Sequence, residues 1–192
     1  MQITIEQLNQ LKQQQISKDL ASLKTNEHKN VYQYILHLIN SNSLLTKETL
    51  SIFHALYQDA SLSYQDKFTP SDYRNCTLVP LTANHKPPKP EDLPHLMEHY
   101  LNQINTSKGI FSPIEYAVLC HKRFLDISPF SDYNLEVGKL LLDYLLLAEN
   151  QICFLPDNDA KYFNALEQAQ QMDYPVIEPL IQYISSYVVQ IK

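Results

Sequence analysis

The chain has 192 residues, 44% of them apolar and 19% charged, which excludes a disordered segment and suffices for one domain with a sizeable core. The formal net charge is −6 and no Lys/Arg cluster occurs, so the basic face of a general nucleic-acid binder is absent. Only Gly109 and Gly138 are glycines, which argues against Gly-based phosphate loops and a fold rich in tight turns.

Helical periodicity dominates from the start. Ile5, Leu8, Leu11, Ile16, Leu20 and Leu23 recur at helical spacing over residues 3–23, and Val31, Tyr34, Ile35 and Leu38 mark a second, shorter helix. A third starts after Thr46, with Glu48 in its first turn and Leu50, Phe53, Leu56 and Tyr57 as its apolar stripe. The pattern then changes. Residues 76–81 read as a β-like piece, and the prolines that follow confine it to an edge, as a hairpin or an extended flap. Pro90, with Glu91 and Asp92, opens a helix predicted to run to about Asn105. The run "SPIE" from Ser112 is a capping box with proline at the first helical position, and its helix is predicted to reach about Asp126. Leu140, Leu141, Leu142, Leu145, Leu146 and Leu147 make the next helix apolar nearly all round, hence central and buried. Two more helices are predicted over residues 158–172 and 176–190. No repeat and no linker is visible, and residues 1–192 read as one all-α domain with a small β element.

Cys76, Cys120 and Cys153 are odd in number and lack metal-ligand spacing, which fits buried or free thiols in a reducing compartment. The N-terminus shows no basic-then-apolar leader, and no apolar run reaches the ~18 residues of a membrane span.

Several stretches invite a chemical reading. "HLMEH", His95 to His99, matches the H-x-x-E-H metalloprotease pattern, and two histidines at i, i+4 could share a zinc ion. The buried stripe there is Leu93, Leu96, Met97, Tyr100 and Ile104, which turns both histidines towards solvent and favours an ordinary surface. Thirteen tyrosines without a tryptophan are scattered rather than set on a basic background, so packing is favoured over base stacking. The Gln-rich "QLNQLKQQQ" is either a partner helix or a solvated face. The decisive stretch is "SPFSDYNLEVGK", from Ser128 to Lys139, where a polar turn enters the Leu-rich helix. Such a turn is where an anion site is built, yet this one holds no histidine or arginine.

The order of parts resembles the Fic (Fido) family. "CHKRFLDISPF" with the loop after it is similar to that family's "(H)PFxDGNGRxxR" stretch. "DYRNCTLVPLTANHKPPKPEDLPHLMEHYLNQIN" is similar to its flap and Pro-rich helix entry, and "KYFNALEQAQQMDYPVIEPLIQYI" to its C-terminal helical pair. The resemblance covers residues 45–192, with 1–44 as N-terminal helices. It implies a mainly helical bundle with a small β-hairpin flap, and transfer of AMP from ATP with Mg²⁺ to a hydroxyl of a target protein.

Carried over residue by residue, the resemblance implies a loop whose working parts have been exchanged. The general base is replaced by Ser128, and losing such a base typically costs ~10²–10⁴ in rate. Asp132 matches the metal carboxylate. Tyr133 and Leu135 replace the two cradle glycines, with Asn134 between them, and a β-carbon at either obstructs left-handed backbone and close approach to phosphate. Glu136 replaces the first arginine and reverses a charge facing a polyanion. Lys139 replaces the second, keeping charge but losing the planar fork. His121 lies seven residues from Ser128, ~10 Å along an unbroken helix, too far to act as base, and reads as a packed or capping histidine. Glu27 in "SLKTNEH" stands where some members carry an inhibitory glutamate that would pair with Lys139, though the flanking residues match poorly.

The resulting expectation is a Fic-fold protein without AMP transfer, needing no cofactor and acting as a binding or regulatory module. Thr77, Leu78 and Val79 of the flap would hold a protein segment by strand addition. The alternative is an active transferase, either with a less anionic phosphate-containing donor and Mg²⁺ on Asp132, with Asn134 and Lys139 on the phosphate, or with residual adenylylation. The family context implies a bacterial, cytoplasmic protein or an effector secreted into host cytosol.

Overall fold

The Thr46 hydroxyl accepts the Thr49 amide while the Thr49 side chain answers the Thr46 amide, so a helix starts at once after Leu45. This reciprocal cap begins α2 (Lys47–Gln58). The structure is a computed structural model and describes residues 29–65 and 71–190. The first described helix, α1 (Lys29–Asn40), carries the expected Val31, Ile35 and Leu38 in the core. The Gln-rich stretch, the helix expected over residues 3–23 and Glu27 lie outside the described residues.

Pro90–Asp92 forms a single 3₁₀ turn that leads into α3 (Leu93–Thr106), whose buried face is Leu93, Met97, Tyr100 and Ile104. The Ser112–Glu115 capping box starts α4 (Pro113–Ile127) as expected. Next comes α5 (Asn134–Leu147). Leu141, Leu142, Leu146 and Leu147 are at most 1% exposed, and burying each is worth roughly 1.5–3 kcal/mol. This helix is therefore the axis of the fold, packed chiefly on α4 and also on α1, α2 and β1. Gly138 permits the α4–α5 approach: a β-carbon there would sit 2.9 Å from Leu125 Cδ2 and 3.2 Å from His121 Nδ1. The last elements are β1 (Gln151–Cys153), α6 (Ala160–Ala169), α7 (Glu178–Ser185) and β2 (Val188–Gln190).

The all-α class with a small β element holds, but the β element lies elsewhere than expected. Residues 76–81 form no strand, and the chain bends at Cys76 and again at Leu81. Pro80 has no amide to donate, and the carbonyl of Cys76 is taken by the Arg74 side chain rather than by a neighbouring strand. The antiparallel pair is instead β1 with β2, Ile152 opposite Val189. The helix expected over 176–190 stops at Ser185, because the β-branched Val188 and Val189 pair with β1 and cover its buried Ile152 and Cys153. Asp159 caps α6 through the Lys161 amide, which sets its start two residues later than predicted.

Candidate functional site

The loop between α4 and α5 is bounded by two residues in left-handed backbone, and neither is glycine. Ser128 (φ 45°, ψ 68°) ends α4, and Tyr133 (φ 50°, ψ 21°) precedes α5. A β-carbon in that region costs roughly 1–2 kcal/mol. Contacts hold both in place. The Ser128 amide donates to Phe124 O at 2.8 Å, and its hydroxyl donates to Leu125 O at 2.6 Å. Ser128 is 3% exposed. The residue at the expected base position is thus a helix cap whose hydroxyl faces back along α4.

Asn134 closes the loop from the other side. Its Oδ1 accepts the Phe130 amide at 2.9 Å and its Nδ2 donates to Phe130 O at 2.8 Å. This buried amide is committed to the loop backbone, so its side chain is a clamp, where the sequence suggested a phosphate ligand. Below the loop lies Arg74, also buried. Its Nε donates to Ser128 O at 2.8 Å, Nη1 to Cys76 O at 2.8 Å, and Nη2 to Pro88 O at 2.7 Å, with a longer contact to Ile127 O. The Arg74 amide donates to Pro129 O at 2.8 Å. One guanidinium therefore ties together the start of the flap, its Pro-rich exit and the end of α4. Burial lowers its affinity for a proton, but the carbonyls around it replace the lost water.

Asp132 is half exposed and does not stand alone. Its Oδ1 accepts from His54 Nε2 at 2.7 Å, and His54 Nδ1 faces Ser71 Oγ at 2.6 Å. Both ring nitrogens are thus held, one by the carboxylate and one by the serine hydroxyl. His54 is buried on α2 between two rings, Phe130 at 4.5 Å and Tyr133 at 6.0 Å, while Tyr57 also meets Tyr133 at 5.5 Å. These aromatic contacts explain how a tyrosine is tolerated in left-handed backbone: its ring covers His54 and Tyr57. A single half-exposed carboxylate already bonded to an imidazole is a poor magnesium site by itself. Magnesium usually keeps several waters and takes further oxygens from a bound phosphate.

Glu136 lies in the first turn of α5, where a carboxylate complements the positive helix end by roughly 0.3–1 kcal/mol. It does for the helix what a bound anion would do. Leu135 is half-buried beside it. Lys139 pairs with Asp157 at 3.2 Å; its suggested partner Glu27 lies outside the described residues. His121 is fully buried, as the packed reading held. Its Nδ1–H donates to Gly138 O at 2.7 Å and its Nε2 accepts from the Tyr162 hydroxyl at 2.7 Å. Burial pushes it down to about 4, which leaves the ring neutral and linking α4, α5 and α6.

In the flap, Thr77 and Val79 are exposed and Leu78 is half-buried, Val79 being 91% exposed. His95 and His99 face solvent on α3, and no group of three or more histidine, cysteine or acidic side chains among the described residues could hold a metal ion. Cys76 is exposed, while Cys120 and Cys153 are buried free thiols. No described helix is long and apolar enough to cross a membrane.

The loop therefore brings Ser128, Asp132, Tyr133 and Asn134 together, adds His54, Ser71 and Arg74, and leaves Lys139 facing Asp157. Sequence reasoning missed those three additions. His54 had a signal: it follows Phe53 and lies four residues after Leu50, on the buried stripe of its helix, where a histidine needs polar partners. Arg74 and Ser71 had none.

A mainly helical bundle with a polar loop at the head of its central buried helix is the architecture of a Fic domain. The chain belongs to the Fic/DOC family, whose model matches residues 2–146. A protein adenylyltransferase Fic from Aedes aegypti is 28% identical over 152 residues, covering 77% of this chain and 28% of the relative. The chain thus spans little more than a quarter of that relative. A solved Fic-domain-containing signalling protein from Bacteroides thetaiotaomicron is 24% identical with a TM-score of 0.64, covering 87% of this chain and 70% of that one. A structure of an IbpAFic2 variant in complex with adenylylated Cdc42 has a TM-score of 0.60 at 12% identity, covering 96% and 70%. Both structures share the fold with this chain.

Proposed function

We propose that this Fic-family chain does not transfer AMP by the family's usual chemistry and works as a protein-binding or regulatory module. The observation that carries this reading is Ser128. It is buried, caps α4 and spends its hydroxyl on Leu125 O, so no base faces a target hydroxyl from that position. Three further features point the same way. Glu136 occupies the first turn of α5, Asn134 is bound to Phe130, and Asp132 is bound to His54. The flap, with Thr77 and Val79 exposed and Leu78 half-buried, is the surface offered to a partner segment. A protein partner accords with the solved IbpAFic2 variant, which is in complex with adenylylated Cdc42. The region 45–192 would be the working core.

The test is to incubate the chain with ATP and Mg²⁺ in a proteome extract and to search by mass spectrometry for AMP adducts on protein hydroxyls. No adduct above the level of a chain carrying Asp132→Ala is expected. A stoichiometric adduct that this substitution abolishes sinks the proposal.

Two observations favour a second reading, an active transferase with a different donor. The left-handed backbone of Tyr133 and the half-exposed Asp132 keep the outline of a phosphate loop. If a donor binds, Asp132 would hold Mg²⁺, which would neutralise phosphate charge, and Lys139 would add a cation. A donor less anionic than ATP suits the neighbourhood of Glu136. The same extract supplied with other phosphate-containing donors distinguishes the two, since an adduct of a different mass, lost in Asp132→Ala, selects this reading.

A further inference from the structure

A second cleft opens between the Pro-rich exit of the flap, α3 and the C-terminal part of α4. It has a volume of about 260 Å³ and is lined among others by His85, Lys86, Lys122, Arg123, Asp126 and Gln170; no residue of the 128–139 loop lines it. Three cations thus face one carboxylate, on a chain whose net charge is −6.

The carboxylate is already spent. Asp126 Oδ2 accepts from Lys122 Nζ at 2.7 Å and Oδ1 from Gln170 Nε2 at 3.0 Å. Gln170 is fixed in turn, since the buried Thr82 hydroxyl donates to its Oε1 at 2.8 Å. Lys86 and Arg123 are exposed, and neither has an ion pair among the described residues. The cleft lies at the C-terminal end of α4, where the helix dipole would ordinarily repel an anion. Here the end is covered. His85 Nε2 takes Asp126 O at 2.8 Å, and Arg74 takes Ile127 O and Ser128 O. With both the carboxylate and the carbonyls engaged, the charge left facing the cleft is positive and its floor is fixed.

We propose that this cleft binds a phosphate monoester dianion, with Arg123 as its bidentate donor and Lys86 as a point charge across the cleft. The volume suits a phosphoryl group with a short attachment, carried either by a small molecule or by a phosphorylated side chain. The site is independent of the α4–α5 loop and of what that loop transfers.

The test is a titration of the full chain with O-phosphoserine, inorganic phosphate and serine at fixed ionic strength, followed by calorimetry and by amide NMR. Saturable binding is expected for the two phosphates and none for serine, with shifts centred on residues 122–127 and 170. Charge reversal of both exposed cations, Lys86→Glu with Arg123→Glu, weakens binding roughly tenfold or more while the unfolding temperature stays within a few degrees. Tighter binding of O-phosphoserine than of inorganic phosphate supports the site with an esterified ligand, and equal binding supports it with free phosphate. Shifts centred on residues 134–139 that persist in the double variant, or no saturation by either phosphate, overturn the proposal.

Discussion

Arg74 shows at the scale of one residue how the loop is held. Its guanidinium donates to the carbonyls of Ser128, Cys76 and Pro88, which no strand or helix among the described residues supplies with a backbone donor. Arg74→Ala would orphan buried acceptors at both ends of the flap and should cost about 3 kcal/mol or more of unfolding free energy in urea titration. Arg74→Lys keeps the charge but not the fork, and should recover less than half of that loss. His121 makes a pH prediction. Its folded value of about 4 lies below the ordinary 6.5, so as the pH falls the unfolded chain takes up the proton first. The contribution is complete above about pH 6.5 and is lost as the pH drops through 4, a fall of ~3 kcal/mol at most. Urea titrations at stepped pH give the slope, and His121→Gln should flatten it. A ring that titrates above 6.5 by NMR contradicts this account.

Among elements, the contact of α4 with α5 organises the fold. It depends on Gly138 for space rather than for backbone freedom. His121 cannot move aside without losing its bonds to Gly138 O and the Tyr162 hydroxyl, and Leu125 is fully buried. Gly138→Val should therefore overpack the contact and lower stability by about 2–3 kcal/mol, despite valine's better helix propensity. An unchanged midpoint in urea would show that α4 and α5 can separate freely. The same contact sets the loop geometry, because Ser128 ends one helix and Tyr133 starts the other. The aromatic packing of Tyr133 on α2 offsets its backbone strain, so a loop without glycine keeps the turn that glycines would otherwise make.

For the molecule as a whole, the proposed function predicts a null response to nucleotide. A ligand at about 100 times its dissociation constant stabilises a fold by ~2.7 kcal/mol. ATP should give no Mg²⁺-dependent shift of this kind in thermal unfolding. A Mg²⁺-dependent rise that disappears in Asp132→Ala would favour the alternative transferase. A Mg²⁺-independent rise lost with Lys86→Glu and Arg123→Glu would belong to the second cleft, so the two sites are read separately in one experiment.

The helices were legible because their causes are local. Thr46 and the Ser112–Glu115 box carry their own caps, and the run of leucines in α5 can only be buried. The residue types of the α4–α5 loop were equally plain in the sequence, a polar turn running into the leucines. Pairing over distance was not legible. Val188 and Val189 continue a helical pattern until β1, far back in the chain, offers them an edge. Residues 76–81 have strand-forming side chains but no partner strand among the described residues, and Arg74 takes the Cys76 carbonyl. His54 reaches Asp132 across 78 residues of chain, and Gln170 reaches Asp126 across 44. Local chemistry determined what each segment could form. Only the tertiary structure decided which buried polar groups would satisfy one another, because a hydrogen bond between distant segments leaves no period in the sequence.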